Sequence, residues 1–300
     1  MLDFHPISLR DREAALPFLY RAPTFGTEYN FCTLFFWPQY FGEICITDTF
    51  VTQMNRHGDA LWYLFPACIG DVRGALEAIL ADCRERGGHL RLYGVSEQTE
   101  KILDDLFSGK FVCTRIRNAA DYIYSLPAMC TLQGRKLQSK RNFCNRFEKE
   151  HPGWHTEPVT GQNLSLCRTI YENWETRHEI GRGMQGEQQA LSICFDYFEQ
   201  LGMEGLLLFD GDEPLAFTIG SRTQPQAFDV HFEKAPADVP GAYPMICREF
   251  SRYLAQKYPD LLYLNREDDV GEENLRRAKL AYHPAFLLEK YVADYQEDTP

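Results

Sequence analysis

One order of elements runs twice along the 300 residues, and that repetition limits the fold more than any other feature. In the second half, Leu164, Cys167, Ile170, Tyr171 and Trp174 fall on one face and predict a helix over 163–179. A shorter helix is expected over 187–201. The apolar run 205–209, the turn Asp210-Gly-Asp-Glu and the segment 214–222 read as a hairpin, because Asp-Gly supplies the positive φ of a tight turn. A third strand, 227–234, alternates: Phe228, Val230 and Phe232 on one face, Asp229, His231 and Glu233 on the other. A helix over 243–257, a strand over 261–265, a helix over 271–282 and a strand over 286–292 complete the unit. The first half repeats this with a helix over 10–20, strands at 43–46, 50–54 and 60–65, a helix over 72–86, a strand at 89–93, a helix over 97–107, and closing strands near 111 and at 122–126. Matching elements are offset by roughly 165–170 residues, far beyond solenoid periods. The simplest account is two fused copies of β-β-β-α-β-α-β, divided as 1–130 and 131–300. The fold class is α+β, built of α/β-type units, each a mixed twisted sheet flanked by helices.

Composition removes several classes. The net charge of −12 disfavours a general nucleic-acid coat, which needs positive charge to hold phosphates. The longest apolar stretches, such as Phe31 to Trp37, are too short to span a bilayer. The opening Met1 to Pro6 has neither the basic region nor the apolar core of a secretory leader, so a cytoplasmic location is expected. Ten cysteines at wide, irregular spacings form no Cys-x-x-Cys pair, and the eight histidines form no His-Glu-x-x-His. Buried reduced thiols and no metal site are the expectation.

Three segments carry a resemblance. Leu132-Gln-Gly-Arg-Lys-Leu-Gln-Ser-Lys-Arg-Asn-Phe143 with Asn145-Arg-Phe147 is the first. Val230-His-Phe-Glu-Lys-Ala235 with Gly241-Ala-Tyr243 is the second. Leu264-Asn-Arg-Glu-Asp-Asp-Val-Gly271, followed by Leu275 to Pro284, is the third, and Asp121-Tyr-Ile-Tyr-Ser125 matches more loosely. Together they resemble the phosphatidylglycerol lysyltransferase C-terminal domain family over nearly the whole chain. The resemblance implies two tandem Gcn5-related N-acyltransferase-like domains. It also implies an aminoacyl or acyl transfer to a hydroxyl or amine, with aminoacyl-tRNA as donor. An acyl-CoA-dependent N-acyltransferase acting on a small molecule is the alternative, and a non-catalytic binding module that keeps the fold is a second. No tightly bound cofactor is implied; aminoacyl-tRNA or acyl-CoA would be a co-substrate. The acceptor would be a small molecule, a peptide or a lipid headgroup, with the tRNA acceptor end as a further partner. No integral membrane association is expected, and the chain is expected to be a monomer or weak dimer.

In that fold the third strand and the strand after the next helix run parallel and splay apart, and the helix N-terminus points its free N–H groups into the slot. The second copy should hold the site. His231 and Glu233, with Asp229 beside them, offer a general base, and Asp268 joins them as a catalytic candidate. Lys234, Gly241, Ala242, Tyr243, Asn265 and Arg266 flank the slot and are expected to bind the donor or its anionic groups. Arg276 and Lys279, at i and i+3, extend this as a basic stripe, with mutual salt bridges as the plainer reading. Asp269 and Glu272 have the spacing of a helix cap.

The linking helix, 134–149, is the one strongly basic segment. From Arg135 to Lys149 it carries +5, which leaves −17 on the rest of the chain. Leu137, Cys144 and Phe147 share a face, with Lys140 and Arg141 on or beside it and Arg135 and Arg146 opposite. Lys140 and Arg141 therefore meet either carboxylates or an anionic donor. Acetyl-CoA enzymes of this superfamily carry (Gln/Arg)-x-x-Gly-x-(Gly/Ala) before the helix. This chain instead has Ala235-Pro-Ala-Asp-Val-Pro-Gly-Ala242, where two prolines lack the N–H that would reach a pyrophosphate.

Overall fold

The computed structural model describes residues 1–176 and 182–297. In chain order the strands are β1 (His5–Pro6), β2 (Glu43–Ile46), β3 (Phe50–His57), β4 (Ala60–Leu64), β5 (Ala67–Cys68), β6 (His89–Val95), β7 (Phe111–Arg115), β8 (Asp121–Ser125), β9 (Trp154–Pro158), β10 (Glu204–Asp210), β11 (Glu213–Gln224), β12 (Ala227–Lys234), β13 (Tyr263–Asn265), β14 (Phe286–Leu288) and β15 (Tyr291–Tyr295). The helices are α1 (Asp11–Leu19), α2 (Phe31–Phe36), α3 (Pro38–Phe41), α4 (Val72–Glu85), α5 (Glu97–Leu106), α6 (Leu126–Thr131), α7 (Gln138–Glu150), α8 (Leu164–Thr176), α9 (Arg182–Asp196), α10 (Ala242–Lys257) and α11 (Glu273–Leu280).

Two compact units result. The first holds residues 1–121, 268–271 and 287–300, and the second holds 122–267 and 272–286. These are not the contiguous 1–130 and 131–300 expected from the repeat. The difference comes from the closing strands. The single strand expected over 286–292 is two strands: β14 joins the second unit's sheet, while β15 lies between β6 and β7 in the first. β8 sits between β14 and β13 in the second sheet. Local patterning predicts that a segment is a strand and is silent on which sheet receives it.

The first unit's sheet runs β1-β2-β3-β4-β6-β15-β7, with β5 also paired to β3. β4 and β6 are parallel and joined by α4. Asp71 starts α4 by accepting the Gly74 N–H at 2.9 Å, and Ala75, Leu76, Ile79, Leu80 and Cys83 make its buried stripe. These pack with Tyr63, Leu92, Val95 and Ala293 in one core.

The second unit repeats the plan as β14-β8-β13-β12-β11-β10-β9, with β12 and β13 parallel and α10 between them. Ile246, Phe250 and Leu254 of α10 are buried, and Phe250 meets Phe228 edge-on at 5.7 Å. α8 covers the expected 163–179 helix from Leu164 to Thr176; positions 177–179 lie outside the described residues. α9 lies earlier than the expected 187–201, because Phe198 and Leu201, which continue the apolar spacing, sit in turns.

Candidate active site

Pairing between β12 and β13 stops after three residue pairs, the last being Asp229 with Asn265. β12 runs on from Val230 to Lys234 without a β13 partner, and that unpaired wall is the slot. Its far side is the tip of β13 and the loop beyond.

A β-bulge decides which side chains enter it. Across β12 and β11, Phe232 faces Ile219 but Val230 faces Gly220, so His231 has no opposite residue. Residues opposite each other share a face. Phe228, Val230 and Glu233 therefore share one face, opposite Arg222, Gly220 and Thr218. Asp229, Phe232 and Lys234 share the other, opposite Ser221, Ile219 and Phe217. Strict alternation put His231 and Glu233 together; the extra residue separates them.

Glu233 looks toward α10 and α7. Its carboxylate accepts from Arg266 Nη2 at 2.7 Å, and its side chain is 8% exposed. Burial pushes the Glu233 carboxyl above the usual carboxylate range, while Arg266 and Lys140 pull the other way. Burial works against the Arg266 charge, yet Glu233 beside it holds the guanidinium well above its ordinary value. The guanidinium also lies over the rings of Tyr282 and Tyr124, at 5.0 and 5.8 Å from their centroids. Cys247 completes this wall as a neutral thiol, pushed by burial up to about 12.

Lys140 comes to the same place from α7. Its ammonium sits 4.0 Å from the Tyr282 centroid and, among the described residues, makes no hydrogen bond and no salt bridge, although the Glu233 charge acts on it. Burial, and then Arg266, push it below the ordinary lysine range. The cluster thus holds two cations around one carboxylate, and one of the cations is unpaired. Lys279 Nζ donates to the Arg266 carbonyl at 2.5 Å and Asn265 Oδ1 accepts the Glu267 N–H at 2.7 Å, so both fix the loop that carries Arg266.

The other expected residues are placed differently. His231 is braced at both nitrogens, Nδ1 2.9 Å from Glu267 Oε1 and Nε2 2.8 Å from Ser221 Oγ, with its side chain 2% exposed. That leaves no free ring nitrogen to take a substrate proton. Lys234 points to the opposite face, 2.8 Å from Glu187 and 4.0 Å above Trp174. Arg141 donates to the Leu132 and Gly134 carbonyls, closing the turn after α6. Asp268 belongs to the first unit, where it accepts the Val270 N–H at 3.2 Å. Arg276 is half-buried on α11, a helix with no buried residue. The expected cap is also different: Glu272 precedes α11, while buried Asp269 accepts the Gly271 N–H and pairs with Arg117 at 3.3 Å.

Gly241 begins α10 at φ +96°, and a Cβ there would stand 2.5 Å from the Phe143 carbonyl. The first turn of α10 is therefore pressed against α7. Ala242 is fully buried and donates its N–H to Val239 at 3.2 Å, and the Tyr243 phenol, pushed up by burial, bonds to the Ala235 backbone and Trp174. With Pro236 and Pro240 in the preceding loop, these residues do not fit a pyrophosphate cradle. Among the described residues no group of three or more His, Cys, Asp or Glu could hold a metal, and no helix is long and apolar enough to cross a membrane. Tyr124, Tyr282 and Cys247 escaped the residue-by-residue reading, although the first two lie in the matched segments.

The comparisons agree with this architecture. A conserved protein of unknown function from Bacteroides thetaiotaomicron VPI-5482 superposes with a TM-score of 0.91 at 31% identity, over 99% of this chain and 100% of that one. The C-terminal domain of a protein described as a lysylphosphatidylglycerol synthetase from Agrobacterium fabrum has the same fold, with a TM-score of 0.70 at 14% identity over 97% and 93% of the two chains. An uncharacterized protein from Mycoplasmoides gallisepticum is 21% identical over 176 residues, 58% of this chain; the chain spans a little over half, 56%, of that relative's length. The profile of the family described as phosphatidylglycerol lysyltransferase, C-terminal, matches residues 21–294, and the chain belongs to that family.

Proposed function

We propose that the protein moves an aminoacyl group from aminoacyl-tRNA to an amine or hydroxyl on a small molecule, a peptide or a lipid headgroup. The observation that carries this reading is Glu233, a buried carboxyl with a raised pKa, set between Arg266 and the unpartnered ammonium of Lys140. The acceptor's nucleophile attacks the ester carbonyl of the donor and gives its proton to Glu233. Lys140 and Arg266 stabilise the oxyanion as it forms. The ester C–O bond then breaks, and Glu233 returns that proton to the ribose oxygen, which leaves as a hydroxyl. An acyl-CoA donor is the weaker reading, because the loop and helix start that would hold its pyrophosphate are proline-interrupted and covered.

The test supplies purified protein with tRNA charged with a pool of labelled amino acids. Phosphatidylglycerol vesicles, a short peptide and a polyamine serve as acceptors. Label should leave the RNA and appear in one acceptor, and Glu233→Gln should lower that rate by about 10²–10⁴-fold with donor affinity little changed. Release of thiol from acyl-CoA with no loss of label from tRNA would instead support the acyl-CoA reading. Inactivity toward both donors would leave a binding module.

A further inference from the structure

A buried hydroxyl stands idle behind the slot. Thr218 on β11 lies directly opposite Glu233 on β12, and opposite Leu206 on β10 from its other side. Residues opposite one another share a face, so the row reads Leu206, Thr218, Glu233. Thr218 is fully buried, and among the described residues its Oγ1 has no hydrogen-bond partner. A hydroxyl taken from water and left unpaired destabilises a fold. Valine would fill nearly the same space, keep the branched side chain that strands favour, and bring no unpaired group. The threonine therefore calls for a use, and of its two neighbours in the row only Glu233 is polar. The Glu233 carboxylate is incompletely satisfied as well. Oε1 accepts from Arg266, while among the described residues Oε2 accepts from nothing.

We propose that Thr218 is a positioning residue: its hydroxyl donates to Glu233 Oε2 and aims the carboxylate at the acceptor's proton. The proposal rests on the reading of Glu233 as the base and deepens it. Directly opposed residues have Cβ atoms about 4.5–5.5 Å apart, a span that a threonine hydroxyl and a glutamate side chain close by rotating between staggered positions. β11 lies on the far side of β12 from β13, so Thr218 holds Glu233 from behind and touches no substrate. Each carboxylate oxygen has two lone pairs, so Oε2 accepts from Thr218 and still takes the proton. The need arises at the transfer step. There Arg266 also serves the oxyanion, and a carboxylate held by Arg266 alone would turn with it. A second donor on another strand keeps the base aligned while Arg266 moves.

The experiment reads Glu233 directly. Protein isotopically labelled at the glutamate side-chain carboxyl carbons is titrated by NMR, and the Glu233 signal is the one that Glu233→Gln removes. The other groups facing this carboxyl stay the same in every Thr218 variant. Arg266, Lys140 and Lys234 favour its charge, and burial holds Tyr124, Tyr243, Cys247 and Tyr282 neutral. Loss of a donor to an ionised carboxylate favours the protonated form. Thr218→Val and Thr218→Ala should therefore raise the Glu233 pKa by about one pH unit, while Thr218→Ser keeps it near the wild-type value. In the transfer assay the rising limb of kcat with pH should move up by the same amount in Thr218→Val, with donor affinity unchanged. Denaturation midpoints give the opposing reading. A hydroxyl with no role predicts that Thr218→Val raises the midpoint and leaves the Glu233 titration in place, and that result would overturn the proposal. So would a lowered Glu233 pKa, or a shift that Thr218→Ser shares with Thr218→Val, which would mark packing alone. Failure of the base reading looks different: the Glu233 pKa moves with Thr218, yet Glu233→Gln transfers as fast as the wild type.

Discussion

The two units share a plan, and they part at the end of the parallel pair. In the first, β4 and β6 stay hydrogen-bonded through five residue pairs, and the Phe65 N–H continues the ladder to Tyr93 at 2.9 Å. The Tyr29 hydroxyl then lies 3.1 Å from both the Phe65 and Gly94 carbonyls and closes the strand ends together. In the second, pairing ends after three and the gap is bridged by side chains, Glu233 to Arg266 and His231 to Glu267. The strand-end segment Leu64-Phe65-Pro66 offers no acid, base or cation. The same fold is thus stable with its slot closed by backbone and phenol or open and lined with charge. Both units bury charge, but to different ends. Lys290 of the first unit lies 2.7 Å from Asp121 and 2.6 Å from Glu28, a cation satisfied twice over, whereas Lys140 of the second has no such partner.

The largest expected effect breaks the comparison outright. Ending the chain after Lys290 removes β15, which holds β7 to β6. Amides of β6 and β7 should then exchange as in an unfolded chain, while β10 to β12 remain protected. Protection of β6 in the shortened chain would show that the first unit does not depend on that strand. Next is Lys140→Met, which should weaken an anionic donor by about tenfold to a hundredfold, the scale of a charged contact. In the wild type, donor affinity should fall as pH rises through the Lys140 pKa. That fall should come below the ordinary lysine range, because burial and Arg266 disfavour the ammonium. Lys140→Arg should abolish the pH dependence there, and a wild-type profile flat through that range would remove Lys140 from the donor site. The smallest effect tests the closed slot. Tyr29→Phe removes a buried hydroxyl between two carbonyls, and should cost about 1 kcal/mol, read as a lowered denaturation midpoint, with transfer unchanged. Transfer that falls in step with this variant would mean that the first unit's slot is not inert.

Much of this was legible in residues. The order of strands and helices followed from turn chemistry and apolar spacing, and Glu233, Arg266 and Lys140 were all among the residues expected at the slot. What was not legible has physical causes. A bulge at His231 shifts the period-2 alternation by one, and nothing in Phe228 to Lys234 announces an unpaired residue. Arg141 is next to Lys140 on the same helix, but a carbonyl cluster at Leu132 and Gly134 satisfies it, and such short-range capture depends on the turn geometry and not on charge pattern. Asp268 stands in the same segment as Arg266, yet the chain leaves the second unit between them.

The position of β15 also sets a timetable. Arg115 of β7 pairs with Tyr291, so the first sheet has its outer strand early and lacks the strand that attaches it until Tyr291 has been made. At about 5–20 residues per second, that delay during synthesis is on the order of ten seconds or more. Through it, β6 and β7 present unpaired edges, which are templates for wrong partners. The N-terminal unit is therefore the last to finish, and a nascent chain stalled before Tyr291 should be held by chaperones at a half whose residues were nearly all available long before.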